Sequence, residues 1–518
     1  TGDTQMGVFL LMGVLLAITL GWFLNTLRGR LLAYVGGRVE YVLGSAIFER
    51  VLRLPSSSLN GVSVSRQISR IKSLERLRDL FLGPLVLLAF DLPASVILLV
   101  AIFLINPWAG MVLVVAIVAF FCLLFLTRPM ADRSAERSSE VSGKKTELID
   151  ESFAKMRGLR ALGAQSMWMG RFRNLSGTSA AVGFKEQQAQ LKISAFSHLI
   201  GSFSGLGVLV ISAYMVIQGQ ISAGTIMATM ILTWRFISPL QGLFMALTSW
   251  SRISTNIFQV NQLMKLAQES DGHNLEANRF VGQGALDFNR VSFRYAAHLD
   301  PVLLGVNFKV PPGKILGITG PDGAGKSTLL TLISRLHYPQ AGSIRIDSID
   351  TRQIASDYLR SIISYMPQRC DIFYGTIAQN LRLVHASATE EELAWAIEMA
   401  GLTKDLERME EGINTRISSS DAEQLSNGFK QRLSLARTIL KPASIVLLDE
   451  PGNGMDDAGD EALMRCINWL RGRVSLILVT PRPSHLKVAD HILYMENGSV
   501  TARGSYAEVE SKIMAGLS

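Results

Sequence analysis

The stretch that decides the fold of the C-terminal half of this chain is Lys314-Ile-Leu-Gly-Ile-Thr-Gly-Pro-Asp-Gly-Ala-Gly-Lys-Ser-Thr328, followed by Leu329-Leu-Thr-Leu-Ile. Its first six residues are typical of a buried strand, and the run that begins at Leu329 is typical of a helix. Between them stands the pattern G-x-x-x-x-G-K-[ST]. Its glycines let backbone N–H groups close around a phosphate at a helix N-terminus. The strand, loop and helix together therefore predict a phosphate-binding loop.

Two side chains of this loop have predicted roles. Lys326 would reach the β- and γ-phosphates of a nucleotide, and Ser327 would offer its hydroxyl to Mg²⁺. The nucleotide-binding set that we assign to the loop is Gly320, Gly323, Gly325, Lys326, Ser327 and Thr328.

A second apolar run, Ile445-Val-Leu-Leu, ends in two acidic residues. Four apolar residues before an acid place the carboxylate at the C-terminal edge of a buried parallel strand, beside the phosphate loop. Asp449 would hold Mg²⁺ through water, and Glu450 would polarise the attacking water. An acidic pair that merely ends a strand is the alternative, which the upstream loop makes weaker.

The N-terminal half carries the long apolar runs. A chain of 518 residues is too long for one ordinary domain. Five segments are long enough to span the roughly 30 Å of a bilayer's hydrocarbon. They are about Met6–Leu24, Gly83–Ile105, Ala109–Leu126, Ile193–Ile217 and Ala223–Trp250.

The connections between these segments differ in charge. Residues 106–107 and 218–222 are short and carry no Lys or Arg, whereas residues 28–82 and 128–192 are rich in both. The positive-inside rule places the long connections in the cytosol and the short turns outside. This topology accounts for the net charge of +8 and argues against a nucleic-acid partner. The three cysteines are widely spaced, which favours neither a disulfide scaffold nor a zinc site.

The long basic connections have helical periodicity. Residues 28–53 keep apolar side chains on one face, which predicts that a helix continues into the cytosol until Pro55. A second helix is predicted over Val64–Leu82, and residues 131–192 repeat the scheme with a break at Gly158–Gly163. Such hairpins could carry motion from a cytosolic domain to the membrane. A peripheral helical domain without that role is the alternative.

Two ionisable residues, Asp91 and Arg235, lie inside apolar spans. Ionisable groups are costly there and by default suggest function. A helix–helix pair, or a position beside a water-filled cavity, is the alternative.

The order of motifs in the C-terminal half resembles the ABC ATPase cassette. The matching residues, within 280–518, are Tyr295, the phosphate loop, Gln368 in Met366-Pro-Gln, Leu425-Ser-Asn-Gly-Phe and Leu447-Leu-Asp-Glu-Pro. The membrane half is similar to exporters of the type I secretion group. That similarity includes Leu27-Arg-Gly-Arg-Leu-Leu-Ala-Tyr-Val, the segment from Phe48 to Arg53-Leu-Pro, and Arg235-Phe-Ile-Ser-Pro-Leu.

The resemblance implies a fold of two parts. An all-α polytopic membrane domain (residues 1–265) would be followed by a linker (266–283) and by an α/β ATP-binding domain (284–518). Such exporters have six membrane helices per half, so the first helix is expected upstream of the five segments found.

The resemblance also implies roles for further residues. Tyr295 would stack on adenine, and Gln368 would lie where Mg²⁺ and the cytosolic hairpins meet. Ser426 and Gly428 would contact the γ-phosphate of ATP held by an opposite subunit, so a dimer is implied. The implied metal-ligand set is Ser327, Gln368 and Asp449.

Three departures from the family pattern concern hydrolysis. The signature Leu-Ser-Gly-Gly-Gln becomes Leu-Ser-Asn427-Gly-Phe429, and Pro481 stands where the family has its switch histidine. Proline offers neither donor nor acceptor from its side chain. His485 would replace the histidine only if the loop were rebuilt. Because the phosphate loop is intact, binding should survive better than turnover.

Three functions compete. The first is a subunit of an ATP-driven exporter in a bacterial cytoplasmic (inner) membrane, sending out a protein or peptide by type I secretion. A periplasmic adaptor and an outer-membrane channel would be partners. The second is a multidrug or lipid exporter on the same scaffold. The third is a mainly regulatory subunit that hydrolyses weakly beside a more active partner. An importer is disfavoured, because importer membrane domains are usually separate chains.

Overall fold

A computed structural model of the chain describes residues 4–55, 84–248, 250–266, 268–269 and 282–517. These residues fall into two compact units that divide after Leu266. The helix predicted over Val64–Leu82 and most of the linker predicted for 266–283 lie outside the described residues.

The first unit is helical. Each predicted apolar segment lies, where it is described, in one of its long helices. The helices are α1 (Thr4–Leu52), α2 (Pro84–Ile105), α3 (Pro107–Ala154), α4 (Met156–Ala161), α5 (Gln165–Ile217), α6 (Ala223–Thr248) and α7 (Trp250–Lys265). Within the described ranges, four helices are long and apolar enough to cross a membrane, and a shorter apolar stretch covers Asp91–Ile105.

The continuous helix predicted for residues 28–53 is present as far as Leu52. Helix α1 continues without a break from the first span to Leu52, three residues before Pro55. The break expected at Gly158–Gly163 is also present. The chain there forms the six-residue helix α4 and then a left-handed Gly163 with φ of 63°. Glycine tolerates this conformation without a steric cost.

Small residues let the membrane helices approach closely. A Cβ on Gly110 would lie 2.6 Å from the ring of Phe103, and one on Gly201 would lie 2.4 Å from the amide nitrogen of Gln241. Between α2 and α3, the fully buried Asn106 accepts a hydrogen bond from the Ala109 amide and donates one to the Ser212 hydroxyl. Such contacts hold helices together where no water competes.

One of the two ionisable residues in the spans forms a helix–helix pair. Asp91 on α2 accepts hydrogen bonds from both terminal nitrogens of Arg28 on α1, at 2.9 and 3.3 Å. Arg235 is exposed on α6.

The second unit is built on three sheets. Their strands are β1 (Leu286–Phe293), β2 (Leu303–Val310), β3 (Ile315–Thr319), β4 (Ala341–Ile346), β5 (Ile349–Asp350), β6 (Ile363–Met366), β7 (Gly375–Thr376), β8 (Arg416–Ile417), β9 (Ile445–Asp449), β10 (Ser475–Val479), β11 (His491–Glu496) and β12 (Ser499–Gly504).

The central six-stranded sheet has the order β12-β11-β3-β10-β9-β6. Its strands are parallel except β12, which pairs antiparallel with β11. Strands β3, β9 and β10 are buried along their whole length, as their continuous apolar runs predict. A four-stranded antiparallel sheet, β2-β1-β4-β5, and the pair β7-β8 complete the strand structure.

Ten helices of this unit surround or connect the sheets within the described residues. They are α8 (Lys326–Ile333), α9 (Ser356–Ile362), α10 (Ile377–Arg382), α11 (Glu390–Met399), α12 (Thr403–Glu407), α13 (Ser419–Gln424), α14 (Asn427–Leu440), α15 (Asp457–Leu470), α16 (Pro483–Leu486) and α17 (Tyr506–Leu517). Since β3 and β9 are parallel, their carboxyl ends lie at the same edge of the sheet. Ligands of open α/β sheets bind at that edge.

Replacing Arg28 or Asp91 by Ala should lower the thermal stability of the purified protein, because either change breaks the charged hydrogen bonds between two helices. The double variant should lose no more than either single variant, with a coupling energy on the order of 1 kcal/mol. Thermal unfolding in detergent micelles measures both. The control is Arg53→Ala, which removes an exposed pair with Glu49 and should leave the midpoint unchanged. Additive losses from Arg28 and Asp91 would contradict the pairing.

Candidate active site

The phosphate loop connects the end of β3 to the start of α8. Gly320, Gly323 and Gly325 have φ of 143°, 81° and 93°, in the region that favours glycine. A Cβ on Gly320 would lie 2.0 Å from the carbonyl oxygen of Met495, and one on Gly325 would lie 2.9 Å from that of Val302. At Gly320 and Gly325, glycine is therefore required both by the positive φ and by the close approach of another backbone segment.

Lys326, the first residue of α8, is buried with its ammonium inside the loop. Its Nζ donates to the carbonyl oxygens of Gly320 at 2.7 Å and Pro321 at 2.9 Å. The exposed carboxylate of Asp322 lies 3.7 Å away. The loop thus holds a desolvated cation against its own backbone. Such a cation attracts a phosphate strongly.

Asp449 and Ser327 meet at the carboxyl edge of the sheet. The Ser327 hydroxyl donates to Oδ1 of Asp449 at 3.0 Å, and the Tyr365 hydroxyl lies 3.4 Å from Oδ2. Burial raises the pKa of Asp449 above its ordinary value, and the charge of Glu450 adds to this; the two hydrogen bonds and Lys326 act against it. Burial, followed by the charge of Asp449, raises the pKa of Tyr365 far above its usual range. Tyr365 is therefore a neutral donor.

Glu450 follows β9 directly and has a strained backbone, with φ of 49°. Its amide donates to the Val479 carbonyl at 2.8 Å, and its Oε2 accepts from Nε2 of Gln368 at 2.8 Å. Gln368 is exposed and comes two residues after β6. The structure therefore brings Gln368, Glu450, Asp449 and Ser327 into one chain of contacts.

These oxygen-bearing groups suit Mg²⁺. A hydroxyl, a carboxylate and an amide are hard ligands of the kind that Mg²⁺ takes together with substrate phosphates. Among the described residues, no group of three His, Cys, Asp or Glu side chains has the arrangement of a separate metal site.

Tyr295 contacts α8, the helix that follows the phosphate loop. Its hydroxyl is 3.0 Å from that of Thr328, and its ring packs edge-on against Phe293 and His337. Burial lowers the pKa of His337, so this neighbour favours the neutral form. Tyr295 is 48% exposed, and its ring is held in place by the two neighbouring rings. An exposed aromatic ring fixed in this way suits stacking on a base.

The predicted signature residues lie at the start of α14. Ser426 caps this helix by accepting a hydrogen bond from the Phe429 amide at 3.2 Å. A Cβ on Gly428 would lie 3.2 Å from the Gly454 carbonyl oxygen. Phe429 is buried in the apolar core of the unit, which explains how the chain tolerates an apolar residue there. The contacts of Ser426 and Gly428 are thus with their own helix and a neighbouring loop.

The segment after β10 contains Pro481, which is exposed. His485 is fully buried, with Nε2 2.9 Å from Oδ1 of Asp460 and Nδ1 3.3 Å from the Thr480 hydroxyl. Both ring nitrogens therefore have partners within the unit. His485 does not take the place of the family's switch histidine, which Pro481 occupies in this chain.

Sequence reasoning missed three residues that touch this machinery: Tyr365, Asp460 and Arg482. Tyr365 has a weak signal, since it comes three residues before Gln368 in the chain. Arg482 and Asp460 are separated by 22 positions and showed no local pattern.

Two family models match the chain. The model "ABC transporter transmembrane region" matches residues 1–240, and the model "ABC transporter" matches residues 303–453.

Curated relatives match nearly the whole chain. The type I secretion system ATP-binding protein of Rhizobium meliloti is 28% identical over 94% of this chain and 83% of its own length. The cyclolysin secretion/processing ATP-binding protein of Bordetella pertussis is 24% identical over 95% and 69%. The alpha-hemolysin translocation ATP-binding protein of Escherichia coli is 23% identical over 94% and 69%.

A solved structure shares the fold. The structure of a bacterial Atm1-family ABC exporter with ATP bound superposes with a TM-score of 0.87 at 22% identity, covering 99% of this chain and 92% of that one.

Gly320→Ala and Gly323→Ala separate steric from conformational requirements of the loop. We expect Gly320→Ala to destabilise the protein by about 3 kcal/mol and to abolish nucleotide binding, because its Cβ meets the backbone of β11. Gly323→Ala meets no atom within 4 Å and should cost only about 1 kcal/mol, for the positive φ. Thermal unfolding and binding of a fluorescent ATP analogue measure the two effects. Equal losses in both variants would contradict the steric explanation.

Proposed function

The chain belongs to the ABC transporter family, with an ABC transmembrane region fused to an ABC cassette, and we propose that it exports a protein or peptide by a type I secretion path. It is an exporter half-transporter of the cytoplasmic membrane, and ATP hydrolysis by its cassette is coupled to transport. The observation that carries the cargo class is the match, over both units, to three relatives whose names give cyclolysin secretion, alpha-hemolysin translocation and a type I secretion system.

A multidrug or lipid exporter is the second candidate. The likeness to an Atm1-family exporter concerns the fold alone, and it does not favour a small-molecule cargo.

We propose the following roles at the nucleotide. Lys326 and the loop amides bind the phosphates, and Tyr295 stacks on adenine. Ser327, Asp449 and Gln368 hold Mg²⁺, which would neutralise charge on the phosphates. Glu450 accepts a hydrogen bond from Gln368, so its carboxylate is oriented to polarise the attacking water.

A second ABC subunit is part of the proposal. Ser426 and Gly428 make their contacts at the N-terminus of α14, where backbone N–H groups favour an anion. A signature at that helix end serves the γ-phosphate of nucleotide on an opposite subunit. A periplasmic adaptor and an outer-membrane channel complete the proposed path.

We further propose that this chain's own site hydrolyses ATP slowly. Asp449 and Glu450 are present, so metal binding and water activation are retained. What Pro481 removes is a preorganised contact to the γ-phosphate, and removing one such contact costs about 10²–10³ in rate. Asn427 and Phe429 alter the signature, which acts on the other subunit's nucleotide.

Lys326→Ala tests the function, with Lys309→Ala as control because Lys309 is an exposed lysine on β2. We expect Lys326→Ala to lose ATP-dependent thermal stabilisation and to remove specific polypeptides from the culture medium of the host cell, measured by proteomics. Lys309→Ala should match the wild type. An unchanged set of secreted polypeptides, with lost efflux of a dye such as ethidium, would replace protein export by multidrug export. Undiminished transport by Lys326→Ala would remove the assignment altogether.

Single-turnover hydrolysis by the wild-type complex tests the slow site, with Glu450→Gln assigning activity to this chain. We expect a slow phase that Glu450→Gln removes and that Pro481→His accelerates. Pro483 begins α16 and could hold the loop shape, so Pro481→His/Pro483→Leu is a second variant. Fast hydrolysis that disappears in Glu450→Gln would refute the slow site.

A further inference from the structure

Arg482, one residue after Pro481, joins two separate elements of the cassette. Its Nη1 donates to Oδ1 of Asp460 on α15 at 2.7 Å, and its Nη2 donates to the carbonyl oxygen of Gly452 at 2.9 Å. Its backbone amide donates to the Thr480 hydroxyl at 3.1 Å. The guanidinium therefore holds the loop that follows Glu450 to the helix that this loop enters.

His485 completes the arrangement from the buried side. It contacts the same Asp460 oxygen at 2.9 Å and the same Thr480 hydroxyl at 3.3 Å. A Cβ on Gly452 would lie 2.8 Å from Cε1 of His485 and 3.4 Å from Cζ of Arg482. The two side chains thus close around Gly452, where only glycine fits.

The loop held in this way, residues 450–456, contacts both the Glu450–Gln368 pair and the signature. At its start is Glu450, whose carboxylate accepts a hydrogen bond from Gln368. Near its middle, a Cβ on Gly454 would lie 3.2 Å from Cβ of Asn427 in the signature. A displacement of the loop would therefore change the positions of Glu450 and of the signature together.

An ordinary surface ion pair would not have this consequence. Arg482 is 43% exposed and Asp460 29%, and an exposed pair by itself contributes little. The difference here is geometric, because the guanidinium divides its donors between a carboxylate and a loop carbonyl, and a buried imidazole shares the same carboxylate oxygen.

We propose that Arg482, Asp460 and His485 are positioning residues that fix the loop 450–456, and through it Glu450, in a segment where Pro481 supplies no imidazole. The effect on turnover rests on hydrolysis at this chain's own site. The effect on the position of the loop does not depend on that hydrolysis. The experiment measures both effects.

The first measurement is hydrogen exchange of the loop in the intact complex without nucleotide. The Asn453 and Met455 amides bond to the Glu450 and Gly452 carbonyls and report opening. Arg482→Ala should raise their exchange about tenfold, since hydrogen bonds to a charged group are lost. Arg482→Lys retains one of two partners and should raise it less. The control is Arg352→Ala, which breaks a similar Arg–Asp pair elsewhere in the cassette. Exchange that responds equally to Arg482→Ala and Arg352→Ala, or to neither, overturns the proposal.

The second measurement is the split between kcat and KM for ATP hydrolysis that Glu450→Gln removes. Arg482→Ala should lower kcat about tenfold with KM within about twofold, because the phosphate loop is untouched. Combining it with Asp460→Asn should add no further loss, since both act through one arrangement. Multiplied losses, a change confined to KM, or altered exchange with unchanged kcat would each overturn the positioning role. If the wild type shows no such hydrolysis, the proposal that this chain's own site hydrolyses ATP is refuted. The hydrogen-exchange data then decide alone whether Arg482 fixes the loop 450–456.

Discussion

The hydrogen bond between Ser327 and the buried carboxylate of Asp449 is the contact on which the arrangement of the cassette depends. It joins α8, which follows the phosphate loop, to the end of β9, two segments 122 positions apart in the chain. The carboxylate is buried, and this burial raises its pKa, so ionisation is less favourable here than in water. Donors from Ser327 and Tyr365 and the charge of Lys326 offset part of that cost. A divalent cation bound with ATP would offset more, which links metal binding to the geometry of the whole edge.

A related constraint acts in the membrane unit. A polar group there without a partner is expensive, and several polar residues of this unit form hydrogen bonds with one another. Asn106 caps α3 and bonds across to Ser212, while Asp91 takes both arms of Arg28. The close approach of helices at Gly110 and Gly201 depends on the missing side chains of those glycines. The charged pair ties α1 to α2 at a position where sequence alone showed only a costly acid.

Much of the fold could be predicted because its signals are local. The phosphate loop follows from one run of residues, and the long helix to Leu52 follows from apolar periodicity and a proline. Pairs separated by long stretches of chain could not be predicted, because no local pattern selects the partner. Arg28 and Asp91 are 63 positions apart, and Tyr365 and Asp449 are 84 apart. His485 illustrates the limit: its distance in sequence from Pro481 suggested a substitute, whereas packing against Asp460 directs it inward.

The departures from the family pattern have a common physical logic. The groups that we propose to bind the nucleotide make contacts within one cassette, and these groups are retained in full. The altered positions are Asn427, Phe429 and Pro481, and the roles proposed for them concern the γ-phosphate and a facing subunit. Phe429 exchanges a polar group for burial in the core, so that change favours the fold at the expense of the signature. In a homodimer both kinds of change would fall on every site, and losses of about 3 kcal/mol from a missing contact would combine. In a heterodimer with an intact partner, each site would carry only one of them. Useful turnover would then be easier to retain than in a homodimer.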